Sequence, residues 1–247
     1  MCPLPNPFLR LLRRRYEEWL SEELGLRREL LGRDVHADDG LAHYARACTD
    51  ITFRFPFGEQ ELAGFAARGC FDLTQHQSAS GKNLEYNDDD RKSSGSELPS
   101  KYVPHVIEPS IGVDRLFLAV ICSAYCEDSV GGEKRSLLKF SPRVAPVKCA
   151  VLPLVKNKPE LVSVARGLYE KLRRRYNVEW DAAGSVGKRY RRADEAGTPF
   201  CVTVDFDTIE KPGSMVTVRD RDTTEQTSMP IDEVERFIAR AVEGLDF

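Results

Sequence analysis

The alternation that begins at Lys148 constrains the fold more than any other feature of this chain. KCAVLPLV is a continuous apolar run after Lys148, as a strand buried on both faces requires. PELVSVARGLYEKLRRRY follows with helical periodicity, and Pro159 sits near its first turn, where proline is tolerated. VEW is a short strand, and SVGKRYRRADEAG is a helix that starts at Ser185 and stops at Gly197. FCVTVDF is a second interior strand, MVTVRDR and TEQTSMP make a β-hairpin, and PIDEVERFIARAVEGL closes as an amphipathic helix. Buried strands alternating with helices predict an α/β domain with a mixed, largely parallel sheet. Pro142 and Pro146 fix the backbone just upstream and divide the chain into residues 1–143 and 144–247.

The first of these regions has a different pattern. Residues 7–24 read as a helix, with Leu9, Leu11, Leu12, Tyr16, Trp19 and Leu20 along one side and Gly25 as its stop. GLAHYARAC reads as a second helix running into TDITFRFPF, where the alternation of Ile51, Phe53 and Phe55 marks a half-buried strand. ELAGFA and CFDL lead to residues 87–101, NDDDRKSSGSELPSK, which are nearly free of apolar side chains and read as a surface loop or hairpin tip. A strand through YVPHVIEPSIG comes next, then a helix, DRLFLAVICSAY. In that helix Leu116, Phe117, Val120, Ile121 and Ala124 form a stripe wide enough to predict that most of it is buried.

Composition excludes several classes. At 247 residues, 41% hydrophobic and 30% charged, the chain can build two ordinary cores. A net charge of -3 gives no global basic signature, so nucleic-acid contact must come from local patches. No apolar run is long enough to span a bilayer, and the arginines within the N-terminal apolar stretch do not suit a secretory signal, so a cytoplasmic protein is expected. Seven cysteines, at 2, 48, 70, 122, 126, 149 and 201, lie outside any CxxC pair. Cys122 and Cys126 are one helical turn apart with no histidine near them in sequence, so no metal site is expected.

The segment 102–115, YVPHVIEPSIGVDR, gathers the residues that carry chemistry. Glu108 and Ser110 at a strand end can accept hydrogen bonds from a small cation such as an ammonium group. Gly112 lets a flat ring come close to the backbone. Arg115, at the start of the following helix, can meet phosphate oxygens with fork geometry. On residue type and spacing alone, Glu108 and Arg115 can equally be surface charges, with Asp114 capping a helix. His105 reads as structural.

The text IEPSIGVDRLFLAVICSAY resembles motif 3 of class II aminoacyl-tRNA synthetases, in the form found in the dimeric, eukaryote-like glycyl-tRNA synthetases. LAHYARACTDITFRFPFG, ELAGFAARGCFDLTQH, VAPVKCAVLPLVKN, GSVGKRYRRADEAGTPFCVTVDFDT and VTVRDRDTTEQ resemble further segments of that family, in order, from about residue 10 to residue 240. The resemblance implies part of a class II antiparallel-sheet catalytic domain over residues 1–143, followed by an anticodon-binding domain over 144–247. It implies that Glu61, Glu108 and Ser110 hold glycine, that Arg115 and Gly112 serve ATP, and that Glu108 and Arg115 act in catalysis. Two carboxylates and a hydroxyl leave little room for a side chain, which suits the smallest amino acid. ATP with Mg2+ would be a substrate, and no prosthetic group is implied. The basic groups KLRRRY at 171–176 and Lys188, Arg189, Arg191 and Arg192 would meet tRNA phosphates, with Tyr190 and Phe206 as candidates for base stacking.

The sequence also departs from the family. Neither motif 1, which builds the dimer interface, nor motif 2, which brings an arginine to the α-phosphate, is found. Glu59 stands where a bulky aromatic residue is expected. The reading is therefore a C-terminal half of a glycyl-tRNA synthetase, inactive alone, whose partners would be tRNA-Gly, glycine, ATP, a chain carrying motifs 1 and 2, and a second copy. The alternatives are a non-catalytic nucleic-acid-binding accessory protein built on the synthetase scaffold, and an α/β interaction module without a nucleic-acid role.

Overall fold

The computed structural model describes residues 7–37, 40–94, 97–210 and 213–244. They form two compact units. The first holds Met1–Trp19 with Arg27–Ala119, and the second holds Leu20–Leu26 with Val120–Phe247. The chain thus passes from one unit to the other at 119/120, upstream of the proline-marked division at 144.

In the first unit, helix α1 (Pro7–Glu18) buries Leu9 and sets the ring of Tyr16 edge-on against Phe65, centroids 5.0 Å apart. Strands β1 (Leu31–Val35), β2 (Ala47–Phe55) and β3 (Gly58–Gly69) follow, then α2 (Phe71–Ser80). Next come β4 (Tyr86–Asn87), α3 (Asp89–Ser93), β5 (Lys101–Tyr102), β6 (Val106–Ile111) and α4 (Val113–Ala124), whose residues from Val120 onward belong to the second unit. Strands β1, β2, β3 and β6 pair in that order as an antiparallel sheet. Side chains alternate between the faces of a strand. One face therefore collects Ile51, Phe53, Ala63 and Phe65, all buried, and the other collects Cys48, Asp50 and Thr52 of β2.

Several expectations for this region need correcting. Residues 40–46 of GLAHYARAC form turns, and β2 already begins at Ala47. Nine residues are too few to stabilise an isolated helix, and pairing of Ala47 and Cys48 with β3 takes the end of the segment. The strand β1 and the helix α2 had no clear periodicity to announce them. The polar segment 87–101 is indeed a surface excursion, closed at its base by the β4–β5 pair and containing the short helix α3, which Asp88 caps by accepting from the Arg91 N–H. Helix α4 is less covered than its stripe predicts. Val113 and Phe117 are 76% and 66% exposed, and only Ala119, Ser123 and Ala124 of the helix are buried.

In the second unit, β7 (Tyr125–Val130) and β8 (Glu133–Leu138) form a hairpin whose turn, Gly131 and Gly132, has φ of +61° and +83°. The hairpin is not among the elements expected from the sequence above, although Gly-Gly is a usual two-residue turn signal. Strands β9 (Cys149–Pro153), β10 (Val178–Trp180), β11 (Phe200–Val204), β12 (Met215–Asp220) and β13 (Gln226–Pro230) make a mixed sheet in the order β10-β9-β11-β12-β13. The first three are parallel, and β12 and β13 are antiparallel, as the sequence predicts. Helices α5 (Pro159–Leu172), α6 (Val186–Ala196), the short α7 (Phe206–Glu210) and α8 (Val234–Glu243) complete it. Leu161, Ala165, Leu168, Leu172 and Ile238 pack on Val151, Val202 and Val204, while Ala193 packs with Ala150, Leu152 and Cys201. Gly197 ends α6 at φ +79°, and a Cβ there would lie 2.4 Å from the Phe140 ring.

Candidate functional site

The polar face of the first unit's sheet is arranged by register. The His36 N–H donates to the Cys48 carbonyl (3.2 Å), Cys48 pairs with Ala66, and Ala66 pairs with Glu108. In the next row Asp50 pairs with Gly64 and Gly64 with Ser110. Paired residues direct their side chains to one face, so Cys48, Asp50, Glu108 and Ser110 belong to the same surface. Glu61 reaches that surface through an irregularity. An unbroken ladder would set it opposite Phe53 on the apolar face. The register shifts after Ile51, with buried Leu62 as the extra residue, and Glu61 pairs with Thr52 instead. A bulge changes the direction of side chains in just this way.

These residues line one open cavity of about 270 Å³, which includes His36, Tyr44, Cys48, Asp50, Glu61, Gly64, Glu108 and Ser110. A Cβ on Gly64 would lie 3.3 Å from both Asp50 Oδ1 and Glu61 Oε1, so the missing side chain is what leaves space between the two carboxylates. Glu108 pairs with the Arg68 guanidinium, which also donates to Asp72 (2.5 and 3.1 Å) and lies 3.9 Å over the Tyr44 ring. Hydrogen bonds to Asp72 and Glu108 raise the pKa of Arg68 further, and Arg68 in turn holds the Asp72 carboxyl below its usual range. His36 Nε2 meets Asp50 Oδ2 at 2.7 Å, a hydrogen bond that raises the imidazole pKa. Burial pushes the Cys48 thiol up, helped by Asp50, Glu61 and Glu108.

The expected residues thus fall into groups. Glu61, Glu108 and Ser110 come together in the cavity. Arg115 lies beside them, donating to the Glu61 backbone carbonyl at 2.7 Å. The Gly112 carbonyl accepts from the Leu116 N–H (2.9 Å), and a Cβ there would only touch Arg115 Cβ at 3.8 Å, so nothing among the described residues demands glycine. Glu59 stays outside the cavity lining, accepts from the Thr52 hydroxyl and lies over Gly32. His105 is exposed, at the edge of an apolar groove with Phe8 and Ile107. Sequence reasoning missed His36, Tyr44, Cys48, Asp50 and Arg68. The β2 alternation carried the signal for two of them, since Ile51 and Phe53 facing the core oblige Cys48 and Asp50 to face the other way.

In the second unit the arginines divide differently from the expected phosphate patch. Arg189 is 4% exposed and donates to the carbonyls of Pro153 (2.6 Å) and Gly184 (2.7 Å), so its head group tethers α6 to β9 and is withheld from solvent. Arg191 pairs with Glu133 (2.8 Å) and Arg192 with Asp181 (2.5 Å), both nearer the surface. In KLRRRY, Arg175 pairs with Glu243 (2.8 Å) and Lys171 with Glu235 (3.5 Å), while Arg174 is exposed. Tyr190 shares a hydrogen bond with Thr203 (2.9 Å) beneath the Arg219 guanidinium, and Phe206 opens α7 with the Lys158 ammonium 5.3 Å over its ring.

Residues 148–241 match the anticodon binding domain family, which covers the mixed sheet and its helices. Over 222 residues the chain is 47% identical to a glycine–tRNA ligase of Macrococcus caseolyticus. The chain is thus similar to glycine–tRNA ligases along most of its own length. Over 227 residues it is 45% identical to the glycine–tRNA ligase of Staphylococcus epidermidis, and over 223 residues 45% identical to that of Staphylococcus aureus. These alignments take in 90–91% of this chain but only 45–46% of each relative. The chain therefore spans about half the length of the curated relatives it matches. Among the described residues no helix is long and apolar enough to cross a membrane.

Proposed function

We propose that this chain supplies the glycine pocket, motif 3 and the anticodon-binding part of a glycine–tRNA ligase, and works with a segment that carries motifs 1 and 2. In this reading residues 1–143 belong to the catalytic domain and 144–247 bind the tRNA anticodon. The observation that carries it is the convergence of Glu61, Glu108 and Ser110 on one cavity beside Gly64. Two carboxylates and a hydroxyl suit an ammonium group. The carboxylates crowding Gly64 penalise any substrate with a side chain by a clash, whereas an apolar pocket separates one methylene by only about 1–3 kcal/mol.

The reaction runs in two steps. The glycine carboxylate attacks the α-phosphorus of ATP·Mg2+ to give glycyl-adenylate and pyrophosphate. The terminal hydroxyl of tRNA-Gly then displaces AMP. Glu108 with Glu61 and Ser110 holds the ammonium, Arg115 meets the γ-phosphate, and Gly112 admits the adenine. Stabilising charge at the transferring phosphorus is the main catalytic demand. The α-phosphate arginine belongs to motif 2, so this chain alone is inactive. The working enzyme is a cytoplasmic homodimer without a prosthetic group. We read the motif pattern as of the eukaryote-like type, while the relatives named above are bacterial.

Glycine-dependent ATP–pyrophosphate exchange tests this reading. The chain alone should show none. Adding the missing segment of a relative should restore exchange with glycine and not with alanine, and Gly64→Ala should reduce it at least tenfold while leaving the fold intact. Restored exchange that accepts alanine equally well sinks the glycine assignment. Salt-sensitive tRNA binding with no exchange under any complementation favours the accessory-protein alternative.

A further inference from the structure

We infer that His36, Cys48 and Asp50 form a three-ligand site for one zinc-type divalent ion, set in the wall of the carboxylate cavity. The imidazole nitrogen, the thiol sulfur and a carboxylate oxygen lie within 4.8 Å of one another. Their placement follows from the sheet. Cys48 and Asp50 are two residues apart on one face of β2, and the His36 N–H bonded to the Cys48 carbonyl holds the imidazole across from them.

Zinc bonds of about 2.3 Å to sulfur and about 2.0–2.2 Å to nitrogen and oxygen need donors somewhat closer together than the widest pair here. Side-chain rotation can bring them in, since all three backbone positions are already in place. His36 Nε2 and Asp50 Oδ2, now 2.7 Å apart, would exchange a shared proton for the ion. A sulfur–nitrogen–oxygen set favours zinc over magnesium or calcium, because a thiolate is a soft ligand. Three protein ligands leave a fourth position for water or a small ligand, the pattern of sites that bind substrate rather than only brace a fold. That position opens onto the cavity shared with Glu61 and Glu108, whose negative charge further favours a cation. Binding would release the thiol proton. The inference stands apart from the glycine reading, since metal uptake is measured without substrate.

The test uses the purified chain, stripped of metal and titrated with cobalt(II), with zinc content measured in parallel by mass spectrometry. The expected result is one equivalent of metal, with a thiolate-to-cobalt charge-transfer band and visible absorption of four-coordinate strength. Cys48→Ser should abolish the charge-transfer band, and His36→Asn, which removes a direct ligand, should weaken binding at least as much as the roughly 10–100-fold lost when an outer-shell partner is removed. Cys70→Ser and Cys126→Ser should change neither. His36 is only partly buried, so His36→Asn remains informative even if Cys48→Ser fails to fold. Substoichiometric uptake overturns the inference. So does binding that survives both Cys48→Ser and His36→Asn, which would assign the metal to other cysteines.

Discussion

Two regions of this molecule are built from charged side chains, and they use them in opposite ways. In the second unit Asp194, 1% exposed, receives Arg219 through two hydrogen bonds (2.8 and 3.1 Å) and Arg135 through a third (2.9 Å). Arg135 also donates to the Arg221 carbonyl (2.9 Å) and pairs with Asp128, and Arg221 donates to the carbonyls of Gly197 and Phe140, each at 2.8 Å. These guanidiniums meet their partners inside the chain and tie the β7–β8 hairpin to α6 and β12. On the sheet of the first unit, Glu61 forms no ion pair among the described residues, and Glu108 shares one arginine with Asp72. Saturated charges specify a fold, whereas charges left partly unmet around a cavity are available to a ligand. Residue type alone does not tell the two apart.

The sharpest way to break this contrast is to neutralise one carboxylate in each region. Asp194→Asn leaves two buried guanidiniums short of their counter-charge, and removing one partner of a buried pair typically costs about 3–5 kcal/mol. Glu61→Gln, on an open surface, should stay within about 0.5 kcal/mol of the parent. Urea denaturation of both variants measures the difference. A loss below about 1 kcal/mol for Asp194→Asn would mean that the buried network does not hold the unit together.

A smaller effect separates the two kinds of arginine in α6. Arg189→Ala leaves the Pro153 and Gly184 carbonyls without their donor and should cost about 1–3 kcal/mol of stability. Arg192→Ala should leave stability nearly unchanged, because exposed ion pairs contribute little. If Arg192 meets one tRNA phosphate, its loss should lower the slope of log affinity against log salt by about 0.7–0.9. An unchanged slope in Arg192→Ala, read by filter binding across a salt series, would remove Arg192 from the interface.

What the sequence revealed follows the same divide. The second unit's strands were legible because CAVLP is apolar throughout and FCVTV is apolar except at Thr203, as a strand covered on both faces requires. The first unit's sheet was legible on its core side, through Ile51, Phe53 and Phe55, and much less so on its polar side. Glu61 was named by resemblance to a motif, yet its direction depends on the bulge at Leu62, which no periodicity announces. Arg189 looked like its neighbours Arg191 and Arg192 in a basic run. Only the helix phase, which turns it towards the carbonyls of Pro153 and Gly184, makes it structural. His36 lies twelve residues before Cys48 in sequence, and antiparallel pairing alone makes them neighbours.

The smallest expected effect tests the rim of the buried network. Asp128 pairs with Arg135 through two hydrogen bonds (2.5 and 2.8 Å) while its own side chain stays 28% exposed. The hydrogen bonds from Arg135 hold its carboxyl below the usual value of about 3.9. A carboxyl whose folded pKa is depressed contributes stability above its unfolded value and loses it as pH falls through the folded one. Asp128→Asn should therefore lower the melting temperature at neutral pH, and its deficit against the parent should shrink below about pH 4 as the parent's carboxylate is protonated. Melting curves from pH 7 down to pH 3 measure this. Parallel curves for the two proteins would mean that Asp194 alone balances Arg135, and the network would end one residue short of the hairpin's outer edge.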